Sequence, residues 1–242
     1  MTRYSRAGKG KVLVLLHGWA DSSAGLKTLA DRLAKHFDVI ALDLPGFGGT
    51  QAPPEAWGLD DYTAFVRDFL AKLGVTQVHA LVGHSNGGAI AIRGLADGTL
   101  AADKLVLLAS AGIRNEYKGR NKALRILAKT GKVVTMPLPK RVKTKLRRNV
   151  YRTIGSDMLV AEHLQETFKR IVNDDVRADA AQLLLPVLLV YGEDDESTPV
   201  WYAEQFHELM NESTLEILPG AGHFVHLDRP DDVHKAVLEF LQ

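Results

Sequence analysis

The chain has 242 residues, with 30 Lys or Arg against 29 Asp or Glu, 46% apolar residues and no cysteine. That length suits one large α/β domain or two small ones, and the apolar fraction supports a sizeable core, which argues against a disordered chain. Without cysteine, disulfides, thiolate zinc sites and a cysteine nucleophile are all excluded, and a reducing cytoplasmic setting is expected.

Residues 1–11 are basic but lead into no long apolar stretch, so a cleaved signal peptide is not expected. Nor does any apolar run reach the roughly 18 residues needed to cross a bilayer. Lys11 to Leu16 (KVLVLL) reads as a buried parallel strand ending at His17-Gly18. Ser22 to His36 carries Leu26, Leu29, Ala30 and Leu33 at helical spacing. Phe37 to Leu42 is a second strand, closed by Asp43-Leu44-Pro45-Gly46-Phe47-Gly48. A helix is predicted over Asp60 to Leu73, a strand over Val78 to Val82, a small-residue helix over Gly87 to Ala96, and a strand over Lys104 to Ala109. This alternation implies a mostly parallel, doubly wound sheet flanked by helices.

From Gly112 to about Leu184 the alternation stops, and the sequence reads as a helical insertion interrupted by Pro137-Leu138-Pro139. It resumes with a strand at Val187 to Tyr191, a helix near Trp201 to Met210, a strand at Leu215 to Leu218 and a final helix from Asp231 to Leu241. The expected organisation is therefore an α/β core from 1–111 and 185–242, with a helical cap at 112–184. The charge is split along the same line. Between Arg114 and Arg152 stand fourteen Lys or Arg and one acid, Glu116, about +13 set against about −12 elsewhere. The plain expectation is a solvated helix face. The sharper one is a cationic surface for weak, salt-sensitive contact with anionic lipid or an acidic substrate. No nucleic-acid partner is expected, because no recognition motif or aromatic interleaving accompanies the charges.

The third strand runs into Gly83-His84-Ser85-Asn86-Gly87, a G-x-S-x-G pattern set between strand and helix. In this context the flanking glycines permit a sharp turn that leaves the Ser85 hydroxyl at a helix N-terminus. A serine hydroxyl needs a positioned base before it becomes a useful nucleophile. Downstream, the strand ending at Tyr191 leads into Gly192-Glu193-Asp194-Asp195-Glu196, and the next leads into Pro219-Gly220-Ala221-Gly222-His223. Sites in open α/β sheets lie at the carboxyl ends of strands, so serine, acid and histidine are expected to converge there. His226 and His234 compete with His223 for the base, while His207 is placed on a helix. Spacing alone leaves Asp194 and Asp195 open. The backbone N–H groups of Asn86 and of Trp19, after His17-Gly18, are the expected oxyanion donors. His17 itself is read as tying down its loop. No metal-ligand cluster and no G-x-G-x-x-G helix start is present, so neither metal nor cofactor is expected.

Taken together, His17-Gly18-Trp19, Asp43-Leu44-Pro45-Gly46-x-Gly48, Gly83-His84-Ser85-Asn86-Gly87, Gly192-x-x-Asp195 and Gly222-His223 resemble the α/β-hydrolase fold superfamily from about residue 11 onward. The resemblance is to its serine-nucleophile branch, which includes carboxylesterases and meta-cleavage-product C–C hydrolases. It implies that the acid is Asp195 and that the cap roofs the pocket. Ser85 argues against the aspartate-nucleophile epoxide hydrolases and haloalkane dehalogenases. Members commonly begin with an antiparallel hairpin. Here only one short extra strand, near Thr2 to Ser5, is expected, so the hairpin is shortened. The leading expectation is a serine hydrolase for carboxylic esters of small or medium acyl groups. The alternatives are a C–C bond hydrolase using the same residues and a non-catalytic ligand receptor on this fold.

Overall fold

The computed structural model describes residues 1–114 and 164–242. The basic stretch and the centre of the expected cap, at 115–163, lie outside the described residues. The described strands are β1 (Tyr4–Ala7), β2 (Val12–Leu16), β3 (Asp38–Leu42), β4 (Ala80–His84), β5 (Lys104–Leu108), β6 (Val187–Gly192) and β7 (Ser213–Leu218). They form one sheet in the order β1-β3-β2-β4-β5-β6-β7. All neighbours pair parallel except β1, which pairs antiparallel with β3 from Tyr4 opposite Leu42 to Ala7 opposite Val39.

Both faces of the sheet are covered, and the strand sequences show why. Successive side chains point to opposite faces, so near-continuous apolar strands feed two cores at once. Val14, Leu16, Ile40, Leu42, Leu81, Leu105, Leu107, Leu189 and Tyr191 enter one core. Their neighbours Leu13, Leu15, Val39, Ala41, Val82, Val106, Leu108, Leu188 and Val190 enter the other. Helices α1 (Lys27–Leu33) and α8 (Pro230–Leu241) close the second face. On the first lie α2 (Leu59–Lys72), α3 (Asn86–Ala96) and α6 (Val200–Leu209). The short turn α7 (Val225–Asp228) follows β7.

Three elements differ most from the sequence reading, and β7 also begins two residues earlier than expected, at Ser213. The first helix spans only Lys27–Leu33 instead of Ser22 to His36, because both its ends are turns. Gly25 packs against the Asp21 carboxylate, and the backbone N–H of His36 reaches back three residues to the Leu33 carbonyl at 2.9 Å. Strand β4 is shifted two residues onward, because Gly83 and His84 pair with Leu107 and Leu108 and carry the strand up to Ser85. The extra N-terminal strand exists but runs to Ala7.

Within the segment read as a cap, α4 (Gln165–Asn173) and α5 (Arg177–Ala180) are described. Ile171 on α4, Val176 between the two and Ala180 on α5 belong to the first core. Arg93 on α3 anchors them, donating to Asp60 at 2.6 Å, Asp174 at 2.9 Å and Asp179 at 2.8 Å. The segment entering the body from 164 onward is thus clamped to the helix that follows Ser85.

Candidate active site

Strand order reverses at β2, whose neighbours are β3 and β4, and ligands of open α/β sheets bind in the crevice such a reversal creates. Ser85 sits there, between β4 and α3, with φ 51° and ψ −117°. That is a strained conformation for a residue with a side chain, costing on the order of 1–3 kcal/mol. The turn is possible because the flanking backbone comes very close. A Cβ on Gly83 would lie 2.5 Å from the Gly88 Cα, and one on Gly87 would lie 2.2 Å from the Leu16 carbonyl oxygen. The G-x-S-x-G glycines are therefore required by contact between α3, β4 and β2.

The predicted partners converge on this hydroxyl. His223 Nε2 lies 3.0 Å from Ser85 Oγ, and His223 Nδ1 lies 2.8 Å from Asp195 Oδ2. The Asp195 side chain is fully buried and that of His223 largely so. Burial alone would push the Asp195 carboxyl up. Its hydrogen bonds to His223 and Thr198 and the attraction of the histidine outweigh that and hold it below the usual carboxylate range. Asp195 Oδ1 also accepts from the backbone N–H groups of Ser197 at 2.7 Å and Thr198 at 2.9 Å. An ionised carboxylate fixed in this way orients the imidazole so that Nε2 can take a proton from Ser85.

The loop after β2 meets the same point. A Cβ on Gly18 would come within 3.0 Å of Ser85 Cβ, which brings the neighbouring Trp19 up to the elbow. Among the described residues, neither the Trp19 nor the Asn86 backbone N–H donates to a backbone carbonyl outside its own helix or strand. His17 holds this loop. Its Nδ1–H donates to the Gly18 carbonyl at 2.7 Å, and its Nε2 accepts from the Leu44 N–H at 2.9 Å. Burial lowers the affinity of His17 for a second proton, in keeping with that neutral tautomer.

This arrangement has many counterparts. Residues 13–236 match the alpha/beta hydrolase family. The chain belongs to that family. It is 28% identical over 261 aligned residues to a 2-hydroxy-6-oxo-6-(2'-aminophenyl)hexa-2,4-dienoic acid hydrolase of Metapseudomonas resinovorans, covering 99% of this chain and 87% of the relative. It is also 28% identical over 243 residues to a pimeloyl-[acyl-carrier protein] methyl ester esterase of Nitrosomonas europaea, with 93% of each chain covered. Among solved structures, a serine hydrolase involved in carbazole degradation superposes with a TM-score of 0.75 at 28% identity, over 99% of this chain and 94% of the other.

As in the sequence reading, the mostly parallel sheet is that of an alpha/beta hydrolase. The other residues weighed there separate clearly in space. Asp194 is exposed, whereas Asp195 is 4% exposed. His226 is buried in α7, and His207 lies on α6 with its Nδ1 2.8 Å from Ser213 Oγ. His234 lies on α8. Among the described residues no group of three or more His, Asp or Glu is placed to hold a metal ion. No helix among them is long and apolar enough to cross a membrane.

Sequence reasoning missed Thr198. Its hydroxyl donates to Asp195 Oδ2 at 2.6 Å and lies 3.2 Å from His223 Nδ1. Its only signal is the Asp195-x-x-Thr198 spacing, a common local turn that does not by itself point to a site. The aromatic wall was also missed. The Trp19 ring lies 4.8 Å from that of Phe47 and 5.1 Å from that of Phe168 on α4, residues far apart in sequence.

Proposed function

We propose that this protein is a cofactor-independent serine hydrolase acting on carboxylic esters of small or medium acyl groups. The observation that carries this reading is the unbroken chain from Ser85 Oγ through the His223 ring to the buried Asp195 carboxylate, with steps of 3.0 and 2.8 Å. Ser85 attacks the ester carbonyl while His223 Nε2 takes its proton. Asp195 holds the imidazole in the tautomer with Nδ1–H and stabilises the imidazolium that forms. The Trp19 and Asn86 backbone N–H groups receive the developing oxyanion, and each such donor is typically worth about 3–4 kcal/mol of barrier. The tetrahedral intermediate then expels the alcohol, which leaves with the proton from His223. Water, activated by the same ring, releases the acid from Ser85.

A second reading has a specific observation in its favour. The relative from Metapseudomonas resinovorans, similar over nearly the whole chain, is a hydrolase of a dienoic acid. The same three side chains would there serve cleavage of a C–C bond beside a carbonyl. On either reading the cysteine-free sequence supports a cytoplasmic setting.

Fluorophosphonate labelling and a panel of p-nitrophenyl esters of rising chain length test the proposal, with a 2-hydroxy-6-oxo-dienoic acid as competing substrate. Labelling at Ser85 with ester turnover, both lost in Ser85→Ala and His223→Ala but kept in His226→Ala, is the expected result. Faster turnover of the dienoic acid than of any ester would select the second reading. Ester turnover that survives Ser85→Ala would refute the mechanism. Neither labelling nor turnover would leave a non-catalytic ligand receptor.

A further inference from the structure

We propose that His84, the residue before Ser85, is a positioning residue that fixes where His223 stands relative to the serine. This rests on the serine-hydrolase reading above. His84 is 1% exposed, and its Nε2–H donates to the backbone carbonyl of His223 at 3.0 Å. Two consecutive residues of the elbow therefore grip one histidine. Ser85 meets its ring at 3.0 Å, and His84 meets its main chain at the same distance. Together they close a ring of bonds, part covalent and part hydrogen-bonded, so His223 cannot slide along its loop without breaking one of them.

The surroundings of His84 dictate its protonation. The rings of His226, His223 and Phe224 lie 4.7, 5.0 and 5.3 Å from it. Burial, then the nearby His226 and His223, hold its proton affinity well below that of an ordinary histidine, so the ring is neutral. A neutral imidazole has one N–H. The His223 carbonyl claims it at Nε2, which leaves Nδ1 bare. Among the described residues Nδ1 has no partner, though it is buried, and a Cβ on Gly18 would lie 3.0 Å from it. His84 thus touches all three parts of the site: the elbow by covalent bond, the histidine loop by hydrogen bond, and the loop leading to Trp19 by packing. None of this reaches the reacting atoms, so its effect on turnover is indirect.

The test compares His84→Leu, which keeps bulk and removes the donor, with His84→Gln, whose amide N–H reaches a similar distance. His84→Asn, a shorter amide, guards against a misfolded leucine variant. Steady-state ester hydrolysis and the downfield proton resonance of the His223 Nδ1–H are measured for each. The leucine and asparagine variants are expected to lose about 10- to 100-fold in kcat, with KM moved less than about threefold, as for a reacting group displaced by a fraction of an ångström. Their Nδ1–H resonance is expected to broaden or vanish. Glutamine restores most of both. Wild-type kcat and resonance in the leucine variant would overturn the proposal, as would a glutamine variant no better than asparagine. If the wild type hydrolyses no ester, the serine-hydrolase reading fails and the resonance alone decides His84. Loss in leucine with retention in glutamine supports the positioning role, and no change refutes it.

Discussion

The two ends of the sheet differ in how they handle polar groups and backbone strain. At the carboxyl ends of the strands, left-handed backbones occur not only at glycines (Gly46, Gly48, Gly112 and Gly220) but at three residues with side chains: Ala20 after β2, Ser85 after β4 and Ala109 after β5. At the amino ends the left-handed positions are glycines, as at Gly8 and Gly10 before β2 and Gly74 and Gly98 closing α2 and α3. Among the described residues, buried polar side-chain atoms without a partner gather at the carboxyl ends too, at Trp19 and Asp21 after β2, His84 at the end of β4, Asn86 at the start of α3 and His226 in α7, with two more on helices at Gln205 and His234. Below, His79 is held at both nitrogens, 3.0 Å from Asp103 Oδ2 and 3.0 Å from the Leu241 carbonyl, and Lys104 donates to the Phe240 carbonyl at 2.6 Å. Unrelieved strain and unpaired groups persist only where the surrounding structure holds them in place. Here the rigid lower end and the two apolar cores supply that support.

The sharpest way to test this contrast is to remove the strain and the proposed nucleophile together. Glycine adopts positive φ without steric penalty, whereas alanine keeps the clash. Ser85→Gly is therefore expected to be about 1 kcal/mol more stable than Ser85→Ala, read as a higher denaturation midpoint. Both variants should lose on the order of 10⁴-fold or more in ester turnover. Equal stability of the two would mean that the elbow stores no backbone strain.

A smaller effect comes from the histidines gathered at the same end. His17, His84 and His226 are all buried there, and burial depresses the proton affinity of each, for His226 to about 4. The unfolded chain begins to take up protons as pH falls below roughly 6.5, the ordinary histidine value. The folded chain resists until far lower pH. Stability from these groups is thus fully present above about 6.5 and is lost as pH falls through the folded values. His226 alone accounts for about 3 kcal/mol on this argument. The depressed carboxyl of Asp195 adds to the loss at lower pH, where it too must be protonated. The melting temperature should drop steeply between about pH 6.5 and pH 4.5, and His226→Phe should flatten the slope. A slope unchanged in that variant would exclude His226 as a contributor.

The same division explains what the sequence could disclose. Strands β2 to β6 are legible because a strand buried on both faces must be apolar throughout, and only a parallel sheet with two covers asks for that. Ser85 and His223 are legible because each follows a strand and is flanked by glycines that the backbone requires. Asp195 is only partly so. Asp194 has the same chemistry one residue away, and what separates them is direction, one turned to solvent and the other buried against His223. Thr198, His84 and the pairing of Trp19 with Phe168 cannot be read from spacing. The contact that brings Thr198 to the site is with His223, 25 residues away, since its bond to Asp195 alone is an ordinary turn; His84 meets the His223 carbonyl 139 residues away, and Phe168 lies on the far side of the 115–163 stretch. A short-range pattern fixes where a side chain begins, and tertiary packing fixes what it meets.

The smallest effect is expected at the lower end, where substitution should cost stability and nothing else. His79 is 6% exposed and stacks on Phe37 at 6.2 Å, while its ring ties the starts of β4 and β5 to the last turn of α8. His79→Leu keeps the apolar packing but leaves the Leu241 carbonyl without its partner. Asp103, whose side chain is 54% exposed, simply turns to water. One broken buried hydrogen bond then sets the scale, about 1–2 kcal/mol, read as a lower urea midpoint. Turnover at 25 °C should stay within about twofold of wild type, because β4 delivers Ser85 at its other end and most of the chain remains folded after such a loss. A fall in kcat beyond that, with the protein still folded, would show that the two ends are mechanically coupled through the strand. The division of labour between them would then be one of degree.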